Sequence, residues 1–480
     1  MSSALLSIGI DVGTSTTQVV FSRLYLRDKG SRFTAPDIQI TNTEVIYRSK
    51  VHETPLLDAV RIDANALRQL VEAEFRRADI APGDTDTGAV IITGESARKE
   101  NAAAVLEQLS GFAGDFVVAT AGPDLESRIA GQGSGAQEES RVRRCRVANF
   151  DIGGGTTNIA VFDCGNLVAV GCYDIGGRML RFSPGSPGGA LTDISTGAAQ
   201  AAAHCGLRLQ PSQTPFIEDL RHLAQAATQV LEQSILPTSR QQSPLLHSLK
   251  TPASTALLLD KPVDAVCFSG GVADCIYTSN REAFEFGDFG VLLGRAIRMG
   301  NLFNYPVLTP KETIRATVIG AGNYTTTLSG STIRYTDAAL FPIKNLPVFA
   351  LNASQEEAAF AGTDCDIAER LRWFLQQADV PQAAIAMEGK PSPGWQELKR
   401  LAQALAEAVC AAVPPAMPII LFVQHDMGKA LGQAITPFAQ GRPVIALDGI
   451  AAGEHHYLDI GRPVMHGQAV PVVVKTLMFG

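Results

Sequence analysis

The sequence predicts an α/β protein in which two strand–loop–strand units face one another across a cleft, followed by a small α/β lobe. Three observations predict it. Residues 147–162, VANFDIGGGTTNIAVF, carry one acid, Asp151, out of an apolar strand into three glycines and two threonines before apolar alternation resumes. Residues 5–21, LLSIGIDVGTSTTQVVF, repeat that grammar with Asp11, Gly13 and the hydroxyls of Thr14, Ser15, Thr16 and Thr17. From about residue 343 onward strand and helix patterns alternate with short links, as in βαβ units.

The chemistry of the two loops follows from their residue types. Glycines reach positive φ and, lacking Cβ, let backbone N–H groups ring an anion. Asp11 and Asp151, one acid per loop and each expected to face solvent, suit Mg²⁺, which keeps several waters and takes one or two carboxylates plus phosphate oxygens. Taken singly, either loop reads equally well as a Gly-rich turn with surface hydroxyls. The pair, with its sequel, points to a polyphosphate site.

Along the chain, residues 38–40 and 44–47 are short β-prone stretches. Residues 63–78 place Leu67, Leu70, Val71 and Phe75 on one helical face, with Asp63 as N-cap and Pro82-Gly83 beyond the end. Strands follow at 90–93 and 116–120, with a helix over 100–109. Residues 121–135, AGPDLESRIAGQGSG, continue into Ala136 as a loose G-x-G-x-x-A, but no strand precedes it, which removes a dinucleotide site. They read as a turn and short helix bringing Asp124 or Glu126 near the cleft, Glu126 being preferred; the alternative is an acid that merely complements the helix dipole.

Beyond the second hairpin, glycines and prolines over 176–189 make an irregular loop, and residues 192–205 and 215–235 are helical. Residues 237–252 read as an exposed connector. Residues 263–273, VDAVCFSGGVA, form a buried strand opening at Ser269, Gly270 and Gly271, where a flat group can lie against bare backbone. Residues 288–301 are helical, and 316–322, ATVIGAG, read as a strand ending in small residues. In the C-terminal lobe, helices are expected over 366–378, 395–413 and 427–438, and strands over 418–423, 443–447 and 470–479. His425, Asp426, Asp448, His455, His456 and Asp459 lie there, but adjacent histidines on extended chain point to opposite faces, and a structural role is preferred to a metal site.

A chain of 480 residues suits two to four domains. Its net charge of −8 and scattered Lys and Arg argue against nucleic acid as the main partner, which needs concentrated positive charge. The one basic cluster, Arg141, Arg143, Arg144 and Arg146, reads as a solvated approach to the next strand. No apolar run is long enough to span a bilayer, and the first strand begins too early for a signal peptide. The eight cysteines include no C-x-x-C pair and are expected to be reduced, in a cytosolic setting. No Walker G-x-x-x-x-G-K-[ST] occurs, which excludes a P-loop enzyme.

The ordered set of two acid–Gly hairpins, an apolar strand with Gly-Gly and a final V-I-G-A-G resembles, over residues 5 to about 330, the ATPase superfamily of actin, Hsp70 chaperones and sugar kinases. The resemblance implies an actin-like/Hsp70-like ATPase fold with duplicated RNase H-like lobes and an additional small C-terminal α/β lobe. The divisions expected are 1–145 (with an inserted subdomain at about 22–87), 146–340 and 341–480. Residues 89–109 and 316–328 would supply the connecting helices. The same resemblance implies ATP and Mg²⁺ as ligands. Asp11 and Asp151 would hold Mg²⁺ through water. Gly13, Thr14, Ser15, Thr16, Gly153, Gly154, Gly155, Thr156 and Thr157 would cradle phosphates, and Gly270 with Gly271 would back the adenosine. An acid near 124–126, Glu126 by preference, would position the attacking water.

At a finer level the chain resembles the ethanolamine ammonia-lyase reactivating factors. The stretches that carry this are residues 8–24, 92–102, 122–136, 149–165, LDGIAAGEHHYLDIGRPV at 447–464 and VPVVVKTLMFG at the C-terminus. The resemblance covers nearly the whole chain, including the lobe that generic ATPases lack. It implies a slow ATPase that drives spent cobalamin out of the adenosylcobalamin-dependent lyase. The lyase is then the implied partner, with nucleotide as ligand and self-association left open, in cytoplasm or associated with a bacterial microcompartment. The alternatives are a small-molecule kinase of the same fold and an actin-like nucleotide-binding scaffold.

Overall fold

The computed structural model describes residues 3–13, 16–28, 38–58, 61–93, 100–102, 104–105, 108–109, 117–120, 123–183, 189–240, 243–252, 254–324, 327–329, 332–363, 365–454 and 456–476. In the first sheet, β1 (Ser3–Val12) and β2 (Thr16–Asp28) make a hairpin extended by β3 (Ile38–Arg48), while β4 (His52–Glu53) pairs with the start of β2. The two short stretches expected at 38–47 are thus one strand. On the other side of β1, β5 (Thr87–Ile92) and β6 (Val117–Thr120) run parallel to it, in the order β3-β2-β1-β5-β6.

The second sheet repeats this plan. β7 (Arg146–Ile152), β8 (Thr157–Asp163) and β9 (Asn166–Tyr173) form an antiparallel meander. After a separate ribbon of β10 (Leu180–Phe182) and β11 (Leu191–Ile194), β12 (Ala265–Ser269) and β13 (Val307–Leu308) add in parallel beyond β7. Counting from the meander strand farthest from the parallel pair, both sheets run three antiparallel strands and then two parallel ones. This is the duplicated actin-like architecture.

Each sheet buries an outer face under its own helices. In the first lobe Ile8, Ile10 and Val12 pack with Leu67, Val71 and Phe75 of helix Ala64–Ala78. That helix starts where expected, with the Asp63 carboxylate accepting from Ala66 N–H at 3.0 Å, and stops at Asp79 in a left-handed conformation. In the second lobe Phe150 and Ile152 pack with Leu220, Leu223 and Val230 of helix Ile217–Ser234.

The inner faces are covered by exchanged helices. Helix Pro123–Gly133 follows β6 of the first lobe but packs on β8 and β9 of the second. Helix Ala316–Tyr324 follows the second lobe but packs on β1, β2 and β5 of the first. The two cross each other at glycines: a Cβ on Gly133 would lie 1.8 Å from the Ala316 carbonyl oxygen, and one on Gly320 would lie 2.0 Å from that of Ile129. Residues 316–322 are therefore helix and not strand; their apolar, β-branched run suits a helix buried on both sides. The first connecting helix is likewise 123–133 rather than 89–109, whose start is the buried strand β5.

Two surface assignments change as well. Within 237–252, helix Pro244–Ser248 buries Leu245 and Leu246, so this stretch is no exposed connector. Arg146 is 6% exposed and binds Asp163 and Asp260 at 2.7 and 2.8 Å, unlike its exposed neighbours Arg141 and Arg143, which pair with Glu138 and Glu139.

The C-terminal lobe holds the largest sheet, of eight strands. After β14 (Thr327–Leu328) and β15 (Arg334–Tyr335), its parallel centre is β16 (Ile343–Ala350), β17 (Ala384–Met387), β18 (Ile419–Val423) and β19 (Val444–Asp448). β20 (His456–Ile460) and β21 (Pro471–Thr476) continue antiparallel beyond β16. Helices Ile367–Ala378, Trp395–Ala412 and Gly428–Ile435 cover one face. The lobe docks on the first lobe, where Ala469 and Val464 meet Leu5, Leu24, Leu26 and Ile38. No helix among the described residues is long and apolar enough to cross a membrane.

Candidate functional site

Both hairpins close in the same way. Gly13 N–H donates to the Thr16 carbonyl at 2.9 Å, and Gly153 N–H to the Thr156 carbonyl at 2.9 Å. In each, the acid pairs one rung before the last: Asp11 opposite Gln18, and Asp151 opposite Asn158. The acids thus stand on strands, correcting the expectation of solvent-facing loops: Asp151 is only 5% exposed, and Asp11 is partly buried. Both lie on the inner sheet faces, against the exchanged helices.

Each carboxylate is held by hydroxyls from distant segments. Thr93 Oγ1 donates to Asp11 at 3.0 Å. Ser269 Oγ and Thr317 Oγ1 donate to the two oxygens of Asp151 at 2.6 and 3.1 Å. Burial outweighs these bonds and raises the pKa of both acids; Asp11 is pushed up to about 7, with the charge of Asp151 adding to the effect. The charge of Asp151 thus reaches Asp11 of the other hairpin.

The other predicted residues divide. Gly153 and Gly154 are locked by the following segment, their carbonyls accepting from Gly177 and Arg178 N–H at 2.9 and 2.6 Å. A Cβ on Gly176 would lie 2.4 Å from the Gly154 oxygen, which fixes this approach. Gly155 and Thr156 complete that turn, and Thr16 closes the first; Thr14 and Ser15 lie outside the described residues. Thr157 is fully buried and donates to the Ile175 carbonyl at 2.7 Å, so its hydroxyl braces the loop rather than lining it. Gly270 has φ +84 and a Cβ there would lie 2.4 Å from the Ile152 carbonyl oxygen, whereas Gly271 borders open space. The two do different jobs: one makes the turn and the other is the bare surface.

Helix Pro123–Gly133 begins at the end of the β8–β9 pair away from their own turn and nearer the second glycine loop, as Ser127 Oγ donating to the Gly171 carbonyl at 3.3 Å indicates. Asp124 is committed elsewhere, accepting from Ser254 Oγ at 2.8 Å and Thr255 N–H at 3.2 Å. Glu126 stands one turn into the same helix and is partly buried.

Four buried amide oxygens accept no hydrogen bond among the described residues, and three of them stand on the hairpin strands: Gln18 Oε1, Asn158 Oδ1 and Asn149 Oδ1. Two of them are the cross-strand partners of the acids, and cross-strand partners share a sheet face. Buried polar atoms left unpaired are costly. A hydrated cation between Asp11 and Asp151 would supply the missing donors from its water shell, so this donor set fits Mg²⁺.

A family model described as "Ethanolamine utilisation protein EutA" matches residues 3–480. The ethanolamine ammonia-lyase reactivase EutA of Salmonella typhimurium is 37% identical over 99% of this chain and 98% of its own length. The protein of the same description from Escherichia coli is 35% identical over the same shares. The chain belongs to the EutA family. Among solved structures, the Aquifex aeolicus PPX-GPPA enzyme covers 66% of this chain and 99% of its own, at 12% identity and a TM-score of 0.41.

In this EutA-family chain the first loop also rests on a brace that sequence reading missed. Thr54 Oγ1 donates to the Gly13 carbonyl at 2.8 Å, and β4 beside it is anchored by His52 on buried Glu74 at 2.9 Å. Thr93, Thr317, Gln18 and Asn158 were missed too. Only the last two carry a sequence signal: each follows its acid at the same spacing. Of the C-terminal His and Asp residues, Asp448 is buried beneath Thr332 and the Gly428 N–H, with its pKa pushed up to about 6 chiefly by burial, and Asp459 accepts from Asn345 N–H at 2.7 Å. His455 lies outside the described residues, and no metal-binding group of three occurs among those described.

Proposed function

We propose that this chain is an ATP-dependent, chaperone-like reactivase of ethanolamine ammonia-lyase, releasing damaged cobalamin so that intact adenosylcobalamin can rebind. The observation that supports it most is the pair of matching hairpins, the acid of the second acting by its charge on the acid of the first, in a chain whose relatives bear the reactivase name. The N–H groups of the two loops bind the phosphates, Gly271 offers bare backbone to the adenosine, and Asp11 and Asp151 hold Mg²⁺ through water. Mg²⁺, when bound, neutralises phosphate charge as the terminal phosphoryl leaves. Glu126 orients the attacking water.

The stroke follows from the exchanged helices. Thr317 touches Asp151, and one residue later Val318 abuts Gly9 of β1, so a change at the second loop moves an element seated on the first lobe. The C-terminal lobe, docked on that same lobe, travels with it. ATP prises the lyase open only if the two nucleotide states bind the lyase with different affinity. The setting proposed is the cytoplasm, in association with a bacterial microcompartment.

Gel filtration of cobalamin-inactivated lyase mixed with this protein and Mg-ATP tests the reading: cobalamin should leave the lyase fraction only when ATP is present. ATP-independent release, or phosphorylation of a metabolite in step with ATP use, would overturn it.

A further inference from the structure

Arg178 sits beside the second loop with its backbone fixed there, since its N–H donates to the Gly154 carbonyl at 2.6 Å and the preceding Gly177 N–H donates to that of Gly153. Its side chain is 32% exposed, and among the described residues the carboxylate at ion-pair distance is that of Asp288, at 3.7 Å. That is a loose pair. Asp288 already accepts from Gly290 N–H at 2.9 Å, and burial raises its pKa, which makes it a reluctant counter-ion. A second cation, Arg181, is close enough to disfavour the charge of Arg178 further. The other acid that acts on Arg178 is Glu53, which belongs to the opposite lobe, in β4 directly across from Thr16 of the first loop. The guanidinium therefore belongs to the segment bonded to the second loop, partly desolvated and near another arginine, with Asp288 as a loose partner at 3.7 Å.

We propose that Arg178 binds the terminal phosphate of a nucleoside triphosphate held between the two loops, and so distinguishes triphosphate from diphosphate. The inference rests on the nucleotide-binding reading above. Its physical basis is that a planar guanidinium, already stripped of much of its water, gains most from a dianionic oxygen cluster that it can engage with two donors. A diphosphate ends one phosphoryl group short of that contact. In the absence of triphosphate, Arg178 keeps its loose pair with Asp288; with it, the same side chain ties the second lobe to a ligand that also touches the first.

Calorimetric titration of Mg-ADP and of the Mg complex of the non-hydrolysable analogue AMPPNP into the full chain, Arg178→Ala and Arg178→Lys tests this. Arg178→Ala should weaken AMPPNP by about tenfold or more while changing ADP by less than about threefold, with Arg178→Lys between. Equal losses for both nucleotides, or none for either, would overturn the proposal. Arg178→Lys keeps charge and stem, so it reports on the contact even if the alanine variant folds poorly. Failure of the unmutated chain to bind either nucleotide would instead overturn the reading beneath, and this proposal with it.

Discussion

Asp11 and Asp151 stand opposite Gln18 and Asn158 at matching rungs of two hairpins, and the charge of Asp151 adds to the burial that raises the pKa of Asp11. Two buried carboxylates, one raised further by the other's charge, are an unfavourable arrangement that a bound cation would relieve.

Replacing either acid tests that arrangement. Asp11→Asn or Asp151→Asn should lower Mg-dependent ATP hydrolysis by about a hundredfold or more, with circular dichroism unchanged. Near-normal turnover in both variants would remove the two-loop site.

The raised pKa of Asp11 gives a pH test. In metal-free protein the folded state keeps the proton up to about pH 7, whereas the unfolded chain loses it near the ordinary value of 3.8. Between those limits folding takes up a proton, so stability falls as pH rises and the penalty is complete above about pH 7. Asp11→Asn removes the penalty. Its metal-free melting temperature should exceed that of the unmutated chain at about pH 8 and match it at about pH 4. A lower value at the higher pH contradicts the assignment.

Asn158→Leu fills a similar volume without the unpaired oxygen. Metal-free stability should hold or rise by about 1 kcal/mol, while the Mg²⁺ concentration for half-maximal ATP use should increase several-fold. An unchanged Mg²⁺ requirement would show that this amide does not serve the cation's water shell.

Gly133→Ala places a methyl where the Ala316 carbonyl already stands. The crossing must open, at a cost of about 1–3 kcal/mol, and thermal denaturation should show it. A neutral effect would mean that the two helices are not pressed together as described.

Much of this was legible in the chain itself, for a local reason. The hairpins announce themselves because strand period, acid and glycine turn all fall within a few residues of one another, around Asp11 and around Asp151. What escaped is non-local. Residues 316–322 look like a strand because Thr317, Val318 and Ile319 favour one; the glycines that make them a crossing helix answer to Ile129 and to backbone neighbours far off in sequence. Thr93, Thr317 and Thr54 are ordinary threonines until the fold brings them to Asp11, Asp151 and Gly13. Sequence pattern preferred Glu126 to Asp124 but carried no sign of the distant Ser254–Thr255 pair that holds Asp124. Arg146 looked like one more member of a basic cluster until Asp163 and Asp260 closed on it.

The most direct test of the account is recovery of ethanolamine deamination by lyase inactivated in turnover, after incubation with this protein, Mg²⁺, ATP and fresh adenosylcobalamin. Recovery should require ATP and should be lost with Asp151→Asn. Recovery that persists without ATP or with Asp151→Asn, or no recovery despite intact nucleotide binding, would contradict it.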